Sequence, residues 1–270
     1  MKNYLCKFLF VVSGMLFMPG FTANAQIITA DSTQSEKKSV FRKNAVKINI
    51  SSLALNNYNF NYERSLTRKI SLVAGYRYMP VTSLNSLPVT SPITDRFFQD
   101  DSEIGNDLSA ISTGNQSITG EVRFYGGKHA GARGFYLSLY GRQLSMDVNY
   151  LMDYDTQTRA YQLPIKSNLK GFGGGLMIGA QWLIAKRVTF DWYILGAHYG
   201  NLKGDANILA DLSSMSEQEK IDLQEELESL IEFGNTRYIS ANVNNQGALG
   251  KVKGPFAGVR GLGFSLGLAF

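Results

Sequence analysis

The chain has 270 residues, 44% of them hydrophobic and 12% aromatic, with a formal net charge of +5 and a pI near 9.1. This length suits one large domain or two small ones, and the single cysteine, Cys6, excludes a disulfide framework. The basic balance would suit nucleic acid, but the export signal at the N-terminus argues against such a partner.

The first 25 residues have the layout of a secretory signal peptide. Lys2 and Lys7 form a basic region, and Phe8–Met18 is an apolar core that is shorter than the roughly 20 residues of a membrane-spanning helix. Small residues then precede a cleavage site, which we predict between Ala25 and Gln26.

Beyond the signal peptide, apolar and polar residues alternate with a period of two in eight segments, which predicts eight β-strands. Their apolar positions are Val46, Ile48 and Ile50; Tyr58, Phe60 and Tyr62; Leu72, Ala74, Tyr76 and Tyr78; Ile118, Val122 and Phe124; Phe135, Leu137 and Leu139; Phe172, Leu176, Ile178, Ala180 and Trp182; Val188, Phe190, Trp192 and Ile194; and Leu262, Phe264, Leu266, Leu268 and Phe270. Only a helix or a closed sheet satisfies its backbone in lipid, and two-faced segments of about ten residues are typical of membrane barrels. We therefore predict an all-β fold, an eight-stranded antiparallel up-and-down transmembrane β-barrel over residues 45–270, preceded by a periplasmic segment over 26–44.

The opposite faces of these segments carry charges of both signs, which an eight-stranded barrel has to accommodate in its side-chain-filled interior. They are Lys47, Glu63, Arg77, Glu121, Arg123, Arg142 and Asp191. We interpret them as a mutually neutralising network rather than as an acid–base pair such as Glu63 with Glu121. Small residues on strands six and eight leave room for the larger side chains.

The connections alternate between short and long, which predicts their sidedness. We expect periplasmic turns at Leu66–Lys69, Gly126–Gly134 and Leu183–Arg187, and outer loops at Leu53–Asn56, Pro80–Asn115, Leu151–Ile165 and Asn201–Gly250. The short turns are basic and the long loops acidic, above all Asp95–Asp107. After Gly141 the apolar positions change parity, which indicates either a β-bulge or an extension beyond the membrane.

The last outer loop is predicted to contain a helix. Ser216 and Glu219 form a capping box, and Gly234 is a predicted C-terminal stop. Between them, an apolar stripe is formed by Leu223, Leu227, Leu230 and Ile231. The stripe either packs on the barrel rim or forms a docking surface for another protein.

Much of the chain resembles a family of uncharacterised outer-membrane β-barrels of Bacteroidetes, similar in build to opacity and OmpW-like barrels. The resembling stretches are KINISSLALNNYNFNYERSL, AGYRYMP, ITGEVRFYGGK, RGFYLSLYGR, GFGGGLMIGAQWLIAKRVTFDWYILGAHYG and the tail GLGFSLGLAF. The resemblance implies an eight-stranded barrel and no assigned activity. The tail also looks like the C-terminal signal by which the barrel-assembly machinery recognises such proteins, carried by Leu262, Phe264, Leu266, Leu268 and Phe270.

Three functions remain open. The first is a non-enzymatic barrel in the cell outer membrane, without cofactor or metal, whose acidic loops contact outer-membrane lipid, lipopolysaccharide, a surface ligand or a protein. The second is an outer-leaflet lipid-modifying enzyme with His198 on the lipid face, although Gly200 stands where a lipid A deacylase has its serine. The third is a porin-like channel for small hydrophobic solutes.

Overall fold

The computed structural model describes residues 41–88, 108–156, 159–233 and 236–270. Eight antiparallel strands form its ring: β1 (Asn44–Asn49), β2 (Tyr58–Ser65), β3 (Ile70–Ser83), β4 (Ile111–Tyr125), β5 (Gly134–Asp155), β6 (Ala160–Ile184), β7 (Val188–Leu209) and β11 (Gly247–Ala269). Each strand pairs with the next in chain order, and β1 also pairs with β11, which closes the barrel. The predicted all-β, eight-stranded antiparallel barrel is confirmed.

The remaining elements lie mostly in the connection between β7 and β11. They are α1 (Glu217–Ser229), β8 (Glu232–Phe233), β9 (Thr236–Arg237) and β10 (Ile239–Asn244), with 3₁₀-helices at Ser51–Leu55 and Leu84–Ser86. No helix in the described ranges is long and apolar enough to cross a membrane. The predicted signal peptide, its cleavage site at Ala25 and Gln26, and the stretch Asp95–Asp107 lie outside the described residues.

The barrel has two distinct ends. Three short connections, at 66–69, 126–133 and 185–187, meet at one end, as the sequence predicts, and we call it the turn end. The hairpin between β5 and β6 and helix α1 mark the opposite end, which we call the hairpin end. In the half nearer the turn end, the predicted apolar positions face outward and polar residues face inward: Phe135 is 70% exposed, whereas Lys47 is 1% exposed. The tail keeps the same pattern, with its five predicted apolar residues on the outer surface.

The strands at the hairpin end are longer than predicted. Within the expected loop Leu151–Ile165, β5 continues to Asp155 and β6 starts at Ala160, and these two residues are the last described pair of the β5–β6 hairpin. The predicted loop Asn201–Gly250 begins and ends as strand. β5 pairs with both neighbours past Gly141 without a register shift. The parity change after Gly141 therefore marks an extension of the barrel and not a bulge.

In this extension the polarity of the wall is reversed. Side chains that point inward are apolar and form a buried core of Met152, Tyr154, Leu163, Ile165, Ile208, Leu212, Met215, Leu223, Leu227 and Ala248. Helix α1 covers this core with Leu223 and Leu227, and its N-terminus has the predicted capping box of Ser216 and Glu219. The helix ends at Ser229, and Gly234 lies outside the described residues. The apolar stripe thus packs against the barrel.

A β-bulge divides β7 and changes which side chains point inward. β6 residues Ile178 and Gly179 pair with Leu195 and Tyr193, so Ile194 is an extra residue on β7. One prediction fails for this reason: His198 faces inward rather than toward lipid. Leu195, which follows the predicted outward residue Ile194, also faces outward. Ala180 keeps its outward parity but is buried beside its strand partners Phe135 and Trp192.

The neighbouring strand β11 changes parity at the same level. Leu262 has a positive φ of 53°, and Gly261 and Gly263 pair with Leu195 and Tyr193 on either side of it. Arg260 on one side of this point and Ser265 on the other both lie inside the barrel. β7 and β11 therefore stay paired in continuous register through this point. On its hairpin side, the inward and outward positions of both strands are exchanged.

Candidate functional site

The interior of the barrel near the turn end is organised around the ammonium group of Lys47. Lys47 Nζ lies 2.6 Å from Glu63 Oε2 and 2.5 Å from Asp191 Oδ2, and it donates a 2.8 Å hydrogen bond to Gln181 Oε1. These contacts join β1 to β2, β6 and β7 across the barrel. All four side chains are fully buried.

Arg123 on β4 forms the second centre of this network. Its guanidinium contacts Asp191 Oδ2 at 2.7 Å and Glu121 Oε2 at 2.8 Å, and it lies 4.4 Å from the centre of the Tyr136 ring. Glu121 also accepts a 2.6 Å hydrogen bond from Arg260 of β11. Arg123 therefore connects the Lys47 cluster to a third carboxylate, Glu121, and through it to a third cation, Arg260.

The network is electrically balanced and well hydrogen-bonded. Its charged members are three cations, Lys47, Arg123 and Arg260, and three carboxylates, Glu63, Glu121 and Asp191. Hydroxyl groups complete the carboxylate shells: Tyr125 and Ser71 donate to Glu63, and Tyr136 donates to Asp191. Buried charges are costly unless they are paired and hydrogen-bonded, and these six are both, so this arrangement serves as a fixed polar plug.

Five of the seven predicted interior charges belong to the network, and two do not. Arg142 is buried and its Nε donates to Thr119 Oγ1 at 3.2 Å, while Arg77 is partly buried. Within the described part of the chain neither has a carboxylate in ion-pair range, and both lie close enough to Arg260 to repel it. The hairpin-side boundary of the plug is thus positively charged.

Sequence reasoning missed Arg260 and Gln181 as members of the site. Arg260 stands immediately before the tail from which the last strand was predicted, and the parity change at Leu262 hides its inward direction. Gln181 alternates with the predicted outward residues Ala180 and Trp182, but it is uncharged and is not among the predicted interior charges. The alternation around Gln181 is regular, so its inward position next to Asp191 on the neighbouring strand was the available signal.

Glycines make room for the large interior side chains, as predicted. A Cβ on Gly179 would collide with the Tyr136 ring, and a Cβ on Gly267 would lie 2.5 Å from Lys47 Cγ. Gly179 of β6 is the strand partner of Tyr136 on β5, and Gly267 of β11 is the strand partner of Lys47 on β1. Their absence of a side chain lets the network fill the barrel.

His198 lies inside the barrel on the hairpin side of the plug. Its exposed fraction is 8%, its Nδ1 is 3.1 Å from Tyr140 Oη, and its ring centre is 4.9 Å from that of Phe256. The described residues contain no group of three or more His, Cys, Asp or Glu side chains placed to hold a metal ion. The imidazole is therefore a hydrogen-bonded interior group within reach of aromatic neighbours.

A closed ring of eight strands with an apolar exterior and a neutral polar plug defines a small barrel of the outer-membrane type. The chain belongs to the family "Protein of unknown function (DUF3575)", whose model matches residues 22–222. This confirms the resemblance to an uncharacterised barrel family.

The comparison with solved structures finds the crystal structure of the N-terminal β-barrel domain of Pseudomonas aeruginosa OprF. The two chains are 8% identical, the TM-score is 0.28, and the match covers 85% of this chain and 98% of that one. No curated protein matches the chain.

Proposed function

We propose that the protein is a non-enzymatic, non-conducting barrel of the cell outer membrane that displays a folded extension at the cell surface. The observation that supports this proposal most is that the inner and outer faces of the barrel wall exchange polarity along the strands. Near the turn end apolar residues face outward around a polar plug, as lipid requires; at the hairpin end an apolar core lies inside, as water requires. Such a molecule is half membrane barrel and half water-exposed barrel.

The plug supports this proposal against a channel for hydrophobic solutes. Lys47, Arg123 and Asp191 meet across the interior at 2.5–2.7 Å, and the apolar core and α1 fill the other end. Moving a solute through would separate buried ion pairs, which is strongly unfavourable. Purified protein in a planar bilayer should therefore give no stable conductance steps, and regular steps in the wild type would restore the channel hypothesis.

The orientation of His198 supports the proposal against a lipid-modifying enzyme. A nucleophile or base for an outer-leaflet lipid has to be reachable from the lipid side of the wall. The ring of His198 points inward to Tyr140 and Phe256, and Gly200 supplies no hydroxyl. A His198→Ala variant should leave the lipid A acyl pattern of cells unchanged relative to wild type, as measured by mass spectrometry.

The surface extension is the part of the molecule that is available for partners, and we assign the turn end to the periplasm. An epitope inserted after Thr156, in the β5–β6 hairpin, should be detected by antibody on intact cells. The matched control is the same epitope after Gly127, in the β4–β5 turn, which should be detected only after the outer membrane is permeabilised. The reverse pattern, or no difference, would contradict the proposed location.

A further inference from the structure

Three lysines lie side by side on the outer surface of the extension. Lys170 of β6 pairs directly with Lys203 of β7, and Lys203 pairs directly with Lys253 of β11. All three are exposed and occupy outward positions. Directly opposite residues of antiparallel strands have Cβ atoms about 4.5–5.5 Å apart, and like charges in this arrangement are destabilising.

Nearby carboxylates do not compensate this row. Across the described ranges, no ion pair involves Lys170, Lys203, Lys253 or the adjacent Lys251. Asp205 lies on β7 opposite Lys251 but outside ion-pair distance of any lysine. Arg237, which also lines the surface here, already contacts Glu228 at 3.5 Å and Glu232 at 3.9 Å. The lysine row therefore retains an uncompensated positive field.

The row forms the floor of a concave surface rather than a flat wall. Strand β10 lies beside β11 where β1 has ended, and with the segment before it encloses a groove of about 640 Å³. The lining of this groove is mostly polar and includes Asn168, Lys170, Lys203, Asp205, Arg237, Tyr238, Ser240, Lys251 and Lys253. A groove with several ammonium donors and one carboxylate suits an anionic group of the size of a phosphate or a sugar phosphate.

The height of the row on the barrel identifies the kind of phosphate. Phe172, 69% exposed, lies two residues below Lys170 on β6, which is about 7 Å toward the turn end. Tyr199, also 69% exposed, lies four residues below Lys203 on β7. These aromatic side chains mark the edge of the apolar belt, so the ammonium groups stand at the level of lipid headgroups.

We propose that this lysine row binds the phosphate of an outer-leaflet glycolipid, with the lipid's acyl chains beside Phe172. This inference rests on the proposed outer-membrane location and adds a ligand class to it. The phosphate, which carries a charge of about −1.5 to −2, offsets most of the +3 charge of the lysine row, and the bound lipid fixes the height of the barrel in the outer leaflet.

Native mass spectrometry of the detergent-purified barrel with diphosphoryl lipid A tests the proposal. The test variant is Lys170→Gln/Lys203→Gln/Lys253→Gln, and the control is Lys43→Gln/Lys128→Gln/Lys186→Gln, which removes three exposed lysines elsewhere on the chain. We expect the test variant to lose about tenfold or more in lipid A affinity, because three charged contacts are removed, and the control to bind like wild type. Replacing the same row by arginine should preserve binding.

Two further ligands, dephosphorylated lipid A and inorganic phosphate, distinguish a lipid phosphate from a free phosphate ion. Dephosphorylated lipid A should bind as weakly to wild type as intact lipid A binds to the test variant, and inorganic phosphate should not displace the lipid. Equal binding by wild type and test variant, or equal binding of dephosphorylated lipid A, would overturn the proposal. Displacement by inorganic phosphate would assign the groove to a free anion and overturn the lipid assignment. The folded state of each sample is checked on an unheated gel, so that failure of the barrel itself is distinguished from failure of the groove.

Discussion

At the scale of single residues, the barrel depends on glycines that stand opposite large polar side chains. Gly179 faces Tyr136, whose hydroxyl is held by Asp191 at 2.8 Å and whose ring lies under Arg123. The ring therefore has little freedom to move away from an added methyl group. The Trp192 carbonyl oxygen would lie 2.7 Å from the same Cβ, so the added methyl group has no room on that side either.

We expect Gly179→Ala to lower the free energy of unfolding of the barrel by about 1–3 kcal/mol, the usual cost of overpacking. The control is Gly174→Ala on the same strand, where the nearest atom to the new Cβ would be the Tyr140 carbonyl oxygen at 3.5 Å, an ordinary contact. Urea titration of the refolded barrel in micelles, followed by the unheated gel band, measures both. Equal stability of the two variants would mean that the interior is not closely packed at Tyr136.

The interior charges make a second prediction at this scale. Lys47→Met leaves Glu63 and Asp191 short of a cation and should destabilise the barrel by about 3–5 kcal/mol. Arg142→Met removes a buried cation that has no ion pair among the described residues, so it should be neutral or stabilising. The same urea titration measures the free energy of unfolding of both variants. A large loss for Arg142→Met would show that this guanidinium has a compensating partner.

At the scale of elements, the bulge at Ile194 explains why the sequence misplaced His198. The extra residue lies within the apolar run Tyr193, Ile194 and Leu195, where a change of parity leaves no visible break in the pattern. Alternation assigns faces reliably only while the register is continuous. One inserted residue therefore exchanges the inward and outward faces of everything that follows.

Single-cysteine labelling tests this assignment, since the only natural cysteine is Cys6 in the predicted signal peptide. With a membrane-restricted thiol reagent, Ala197→Cys should react and His198→Cys should not, because only Ala197 faces outward. Labelling is read by mass shift. Reaction at residue 198 with protection at residue 197 would mean that β7 has no bulge and that His198 faces lipid.

Helix α1 provides the second prediction at this scale. Leu223 is fully buried under the helix, whereas Ile221 on the same helix is 53% exposed. Leu223→Ala should destabilise the extension by about 2–5 kcal/mol, and Ile221→Ala should change it little. Protease digestion of intact cells should then release fragments of the extension from the Leu223 variant first. Equal protease resistance would mean that the helix does not cover the core.

At the scale of the whole molecule, the sequence predicts the barrel because every strand near the turn end alternates outward apolar residues with inward polar or small ones. It does not predict the extension as strand, because there the apolar residues change faces and the acidic outer positions resemble loops. Leu151–Ile165 illustrates this: in its described residues the period of two persists, but the alternating apolar side chains now face the inner core. The interior network was predictable as a set of charges, while its pairings depend on which strands lie opposite each other.

The proposed function requires that the chain forms a closed barrel embedded in the outer membrane. Gel electrophoresis of the purified outer-membrane fraction in detergent, with and without boiling, tests it most directly, because closed barrels stay folded until boiled. We expect the protein to be present in this fraction and to change mobility on boiling. A protein found in the soluble periplasmic fraction, with one mobility in both lanes, would contradict it.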